Sequence, residues 1–205
     1  MDTGKIDRKT GILVGILFLL AMACYMIGSE WVLNPAGGFR RQIGIVLEFV
    51  NSAAVVGIAA LLFPVLRKGE ERVAVSYAVA RSIEAGLLLI CSVCAYLFVS
   101  MGSEEALLSG VLLKFRELLF QMAMIVLGAG SIGFCRLLLR ERLAPRGLAI
   151  LGIAGYICLF VSGWFGFFGM EQVGMILYVP GAIFEIIFPI WLIVSGLQKS
   201  AKTNR

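Results

Sequence analysis

The chain has 205 residues, 60% of them hydrophobic and 15% charged, where a soluble domain keeps roughly 25% charged residues to cover its surface. A bilayer core takes about 20 apolar residues per helix, so six spans would use most of the chain and leave only short loops, with no room for a soluble domain. The net charge of +5 comes with no long basic run, so it reads as the Lys and Arg excess of membrane loops and not as a nucleic-acid surface.

Residues Met1–Thr10 are polar and precede a first apolar span at 11–27. Lys5, Arg8 and Lys9 before an apolar run also fit a signal peptide. The run continues through Tyr25-Met26-Ile27, so a retained helix is expected. Further spans are expected at 43–66, 73–98, 118–139, 147–168 and 173–197. Between the third and fourth, Leu107, Leu108, Val111, Leu112 and Phe115 recur at helical spacing. That pattern predicts a short amphipathic interfacial helix over 104–117. The fold class is therefore an all-α polytopic membrane bundle, one domain over 1–205.

Lys and Arg residues divide thirteen to four between the two sets of loops, with Arg81 left inside a span. The smaller set is Arg40, Arg41, Lys114 and Arg116. The positive-inside rule then predicts a multi-pass protein of the cell membrane with both termini cytoplasmic.

The two halves echo each other at an offset of 101–102 residues. Leu17-Phe18-Leu19-Leu20-Ala21-Met22 resembles Leu119-Phe120-Gln121-Met122-Ala123-Met124, and Tyr77 precedes Glu84 as Tyr178 precedes Glu185. Three helices per half would make such repeats inverted, as in many transporters.

There is no histidine, which removes the commonest metal ligand and general base. No metal or cofactor site is expected. The chemistry rests on polar residues inside spans, since an ionisable group near a helix centre costs roughly 2.5–3.5 kcal/mol on insertion scales. These are Glu48 and Asn51 in the second span, Arg81 and Glu84 in the third and Glu185 in the sixth. Tyr77, Arg81, Glu84 and Cys91 share one helical stripe. Glu84 and Glu185 both fall near the midplane, where Arg81 can reach either of them. Pro180 and Pro189 bracket Glu185, and Pro189 deprives the carbonyl of residue 185 of its helical donor. Broken helices of that kind line binding sites in transporters, and Tyr178 lies two turns away on the same helix. Glu48 is nearer the outer surface, where it can simply face water.

Five cysteines, Cys24, Cys91, Cys94, Cys135 and Cys158, all fall in apolar stretches and read as buried apolar residues. Cys91-Ser-Val-Cys94 has redox spacing, but no second pair relays electrons to it. Gly128, Gly130 and Gly133 read as close helix packing, and Trp164, Phe165, Phe167 and Phe168 as an interfacial aromatic belt.

Three segments taken together, Tyr77 to Glu84, Phe134 to Ala149 and Pro180 to Gly196, resemble the prokaryotic membrane family catalogued as domain of unknown function 4386. The likeness rests on Arg81-x-x-Glu84, on the Arg142-Leu-Ala-Pro145-Arg146 loop and on Glu185 ahead of Trp191-Leu192. It implies a small multi-helix membrane protein and draws attention to Arg81, Glu84 and Glu185, and it supplies no activity.

Three functional readings follow. The first is a non-enzymatic protein that binds or moves a small solute or ion through a polar site at Arg81, Glu84 and Glu185, with Tyr77, Tyr178, Glu48 and Asn51 as further candidates. The second is a structural or regulatory membrane subunit in which the same charges form an inert latch. The third is a membrane thiol redox enzyme using Cys91 and Cys94. Expected partners are membrane lipids, a small solute or ion, and further copies of the chain; nucleic acid is not expected.

Overall fold

A computed structural model describes residues 8–101 and 106–195 and contains six α-helices and no strand among them. They are α1 (Arg8–Leu33), α2 (Phe39–Gly69), α3 (Glu71–Ser100), α4 (Ala106–Arg140), α5 (Arg146–Phe167) and α6 (Glu171–Ser195). All six hold an 18-residue stretch of mean hydropathy between 1.9 and 2.4, long and apolar enough to cross a bilayer. Their outward faces carry bare aliphatic side chains such as Ile16, Ile83, Ile176 and Val194. In water such a surface would aggregate, and in lipid it is the solvated face. The chain is a multi-pass membrane protein.

Helices stop where the backbone cannot continue. Asn34 precedes Pro35, a position that disfavours the α conformation, and its side chain accepts the Ala36 N–H at 3.0 Å. Glu70 alone separates α2 from α3, in an extended conformation that turns the chain back at once. After α4, Arg142 takes φ 52° and Leu143 donates to the Leu138 carbonyl at 3.0 Å. That cap needs one left-handed residue. Gly169, at φ 72°, serves α5 in the same way.

The first four helices extend past both ends of the apolar segments that predict them, α5 has the expected length, and α6 begins two residues early. At 31 residues α2 rises about 46 Å, against about 30 Å of hydrocarbon. Hydropathy marks the part in lipid, while the polar turns beyond it stay helical. The largest difference is at α4. The separate amphipathic helix expected over 104–117 does not exist, because those residues from Ala106 onward are the first three turns of a 35-residue helix. Leu107 and Phe115 are exposed as expected, whereas Arg116 is buried. Residues 104 and 105, the first seven residues, and the 196–197 end of the sixth span lie outside the described residues, as do Lys5, Lys199, Lys202 and Arg205.

Short connectors make successive helices antiparallel. Each packs on the next, and α6 returns to α1 to close a ring. The end at which α1 starts and α6 finishes is termed basal, the other distal. Pro180 and Pro189 do not break α6, which is helical through both. The helix-break expectation therefore reduces to the missing donor at each proline. Toward the basal end the ring is filled by aromatic side chains. Tyr77 stacks on Phe134 at 4.8 Å and Phe134 meets Phe188 edge-on at 5.6 Å. Phe188 touches Phe18 at 5.9 Å and Phe184 at 5.1 Å. These rings are buried and plug the basal half.

Candidate functional site: a mid-membrane chamber and a second buried ion pair

Distal to the aromatic plug the helices enclose a cavity of about 190 Å³ to which all six contribute. Its apolar wall includes Phe18, Met22, Tyr25, Met26, Phe120 and Met124; its polar wall is Asn51, Arg81, Glu84, Tyr178 and Glu185. A drug-sized ligand occupies roughly 300–1,000 Å³, so this chamber suits a smaller molecule or several waters.

Arg81 and Glu84 lie one turn apart on α3, so the pair is local and needs no partner helix. Arg81 Nη1 donates to both Glu84 oxygens, at 3.0 and 3.3 Å. Both side chains are almost fully buried. The guanidinium also rests over the Phe18 ring at 5.3 Å, a cation–π contact within reach of the ring quadrupole. One face of this cation is therefore held, and another is not. Arg81 Nε is buried with no hydrogen-bond partner, as is the Tyr77 hydroxyl beneath it. Leaving such groups unpaired costs about 1–3 kcal/mol each.

Glu185, on α6, accepts one hydrogen bond, from the Tyr156 hydroxyl at 3.3 Å. Among the described residues no cation forms an ion pair with it. Asn51 is buried at the chamber wall.

A second buried pair lies nearer the distal end. Arg116 Nη1 donates to Glu48 Oε2 at 2.6 Å and to the Cys91 carbonyl at 3.1 Å. Nη2 donates to the Ser29 hydroxyl at 3.1 Å and to Glu48 Oε1. One guanidinium thereby joins α1, α2, α3 and α4. Glu48 is 2% exposed, which corrects the expectation that it faces water. It lies on the buried stripe of α2 that continues through Val55, Ile58 and Leu62, and there only a paired carboxylate is tolerable. Beside it Gly28 and Gly44 let α1 and α2 touch: a Cβ on Gly44 would stand 2.7 Å from the Gly28 carbonyl.

Five residues singled out in the sequence, Asn51, Arg81, Glu84, Tyr178 and Glu185, meet in one chamber. Tyr77 sits below it in the plug. Glu48 belongs to the other pair. Cys91 and Cys94 are both buried free thiols, and Cys91 Sγ donates to the Arg116 carbonyl at 3.4 Å. Sequence reasoning missed Tyr156 as the donor to Glu185, Phe18 as the ring under Arg81, and Arg116 with Ser29 as the partners of Glu48. Arg116 continues the buried stripe Leu119, Ala123 and Leu127, a spacing visible in the sequence once α4 is taken as one helix.

The model of a family described as "Domain of unknown function (DUF4386)" matches residues 13–196. No curated protein and no solved structure matches the chain.

Proposed function

The chain belongs to the DUF4386 family, and from that premise we propose that it binds, and in its working cycle moves, a small solute held in the chamber between Arg81, Glu84 and Glu185. One observation carries this reading. Arg81, which lines the cavity of about 190 Å³, leaves its buried Nε without a partner, and the Tyr77 hydroxyl in the plug beneath it is unpartnered too. A packed bundle has no reason to keep both an unfilled volume and unfilled hydrogen-bond sites at mid-membrane, where each is costly. A bound molecule or a cluster of waters removes both costs.

The offset between the two halves supports the same reading. Phe18 and Phe120, Met22 and Met124, and Glu84 and Glu185 stand at the offset of 101–102 residues, and all six line the chamber. In a ring of six antiparallel helices, helix one and helix four face each other and run oppositely. An inverted repeat of that kind places its axis through the ligand site.

The test uses purified full-length chain in detergent and a panel of small organic cations, anions and neutral solutes. A chamber ligand at 100 times its Kd stabilises the fold by about 2.7 kcal/mol, seen as a raised Tm. Met124→Trp, which fills the chamber, abolishes the rise. A ligand that stabilises wild type and this variant alike binds elsewhere and defeats the reading.

The latch reading finds its support at the other pair, where Arg116 and Glu48 satisfy each other across four helices. We therefore assign the structural role there and not to Arg81. The Lys and Arg distribution supports cytoplasmic termini. With Arg116 inside the bundle, three basic residues remain on the distal side, Arg40, Arg41 and Lys114, and the asymmetry grows. Cysteine reporters at either terminus are then protected from an impermeant reagent added outside intact cells, and labelling of either one reverses the orientation.

A further inference from the structure

The chamber carries more information than the presence of a ligand: its charge and its opening define a class of ligand. Resting on the reading above, we propose that Glu185 receives the ammonium head of a small, membrane-partitioning organic cation, which reaches it sideways from the lipid between α1 and α6.

The chamber holds one guanidinium and two carboxylates. Arg81 is neutralised by Glu84, whose two oxygens both accept from Nη1. Among the described residues Glu185 has only the neutral Tyr156 hydroxyl. A half-buried carboxylate inside a span, without a counter-ion among the described residues, is costly. A ligand that brings one positive charge removes that cost; an anionic ligand adds to it. The remaining wall is aromatic rings and flexible methionines, among them Tyr25, Phe120, Tyr178 and Met22. Aromatic faces attract ammonium groups, and methionine adapts to an irregular apolar body.

The route follows from what closes the other sides. The aromatic plug of Phe18, Phe134 and Phe188 seals the basal side. The Arg116–Glu48 pair, tied to Ser29 and the Cys91 carbonyl, holds α1 to α4 together on the distal side. Among the lining residues, Met26 on α1 is 64% exposed and Ala182 on α6 is exposed as well. Both lie on the outer surface at the seam where the first and last helices meet, and that surface faces lipid. The chamber thus has an opening toward the hydrocarbon at this seam. A solute that uses this opening must first dissolve in the bilayer, which selects an amphiphile over a sugar or an inorganic ion.

The experiment compares three probes of equal chain length that differ only in the head: n-hexylammonium, hexanoate and 1-hexanol. Binding of the labelled probes to the full-length chain in lipid nanodiscs is followed by equilibrium dialysis for affinity and by rapid filtration for association rate. Hexylammonium binds saturably and at least tenfold more tightly than the other two. Glu185→Gln weakens it at least tenfold, and Ala182→Trp, at the mouth of the opening, lowers its association rate. In wild type the bound cation protects Glu185 from a hydrophobic carbodiimide, read by peptide mass. That last readout needs no variant and stands even if Glu185→Gln folds poorly. Preference for hexanoate or hexanol, or unchanged affinity in Glu185→Gln with unprotected Glu185, overturns the cation assignment and leaves the chamber reading standing. An unaltered association rate in Ala182→Trp overturns the lateral route. No saturable binding of any probe, together with no chamber ligand in the wider panel, overturns both.

Discussion

Among the described residues the bundle contains two buried arginine–glutamate pairs, and they are built on opposite plans. Arg116 and Glu48 are 68 residues apart in sequence; their bidentate contact is completed by Ser29 and the Cys91 carbonyl. Arg81 and Glu84 are neighbours on one helix, leave Arg81 Nε without a partner and border a cavity. A cross-helix pair with its hydrogen bonds made can specify which helices meet. An intrahelical pair beside unfilled space cannot, since it forms whether or not the bundle does. What it can do is hold a charged wall in place for something else. The difference teaches that burial and charge alone do not identify a site. The count of unsatisfied donors and acceptors beside a void separates latch from chamber.

The largest effect is expected where the latch loses one partner. Glu48→Leu leaves the Arg116 guanidinium buried and uncompensated, a loss of about 3–5 kcal/mol. Arg116→Met does the same to Glu48. The double variant, with both charges gone, regains most of that stability, because a buried pair replaced by apolar residues is often neutral or better. Thermal unfolding of the three variants in one detergent measures it. If the single variants melt like wild type, the pair is not a latch and the contrast with Arg81 collapses.

Much of this architecture was legible in the sequence, and the reasons are local. Six hydropathy windows gave six helices in order, because lipid demands about 20 apolar residues per span. Arg81 and Glu84 were found because a separation of three places both on one helix face. Glu185 was found because a carboxylate between two prolines is conspicuous in an apolar run. The latch was not legible. Leu107, Leu108, Val111 and Phe115 imitate the apolar face of a surface helix, although all four are exposed on the lipid side of α4. Read that way, Arg116 falls outside the membrane and Glu48 has no partner in reach. Tyr156 was missed for a different reason: only the packing of α5 on α6 turns one buried tyrosine among several into the donor to Glu185.

The next effect sharpens the latch side of the comparison. Gly28 precedes Ser29, and a Cβ on it would lie 2.8 Å from the Gly44 carbonyl and 3.1 Å from Glu48 Cγ. Gly28→Val therefore pushes α1 from α2 and displaces Glu48, at a cost of about 1–3 kcal/mol. The loss is coupled to the latch: a double-mutant cycle with Glu48→Leu and Gly28→Val returns less than the sum of the two, since the displaced pair is already gone in one of them. Strict additivity would show that the glycine acts only through backbone contact.

On the chamber side the corresponding change is smaller. Glu84→Gln removes the charge that faces Arg81 but keeps an acceptor at the same place. Glu185 also lines the chamber, as a second carboxylate. We expect a loss of about 1.5–3 kcal/mol, the range for a hydrogen bond to a charged group, and below that of Glu48→Leu under identical conditions. A reversed order, with Glu84→Gln the more damaging, would make Arg81 the latch.

The smallest effect on stability is expected at Glu185, and it is the one that separates holding the bundle together from holding a ligand. Glu185 touches the rest of the protein through one 3.3 Å bond from Tyr156 and has no ion pair among the described residues. Glutamine keeps the length of the side chain and the acceptor for that hydroxyl, and it removes a half-buried charge that has no ion pair among the described residues. Glu185→Gln should thus melt within about 1 kcal/mol of wild type, on either side of it. Ligand-induced stabilisation should disappear in the same variant. Tyr156→Phe provides the control: it removes the donor without touching the charge, so ligand affinity changes by less than it does in Glu185→Gln. A steep fall in Tm for Glu185→Gln, restored when Arg81→Met is added, would show that Glu185 compensates Arg81 after all. The chamber would then be a second latch, and both pairs would serve the fold alone.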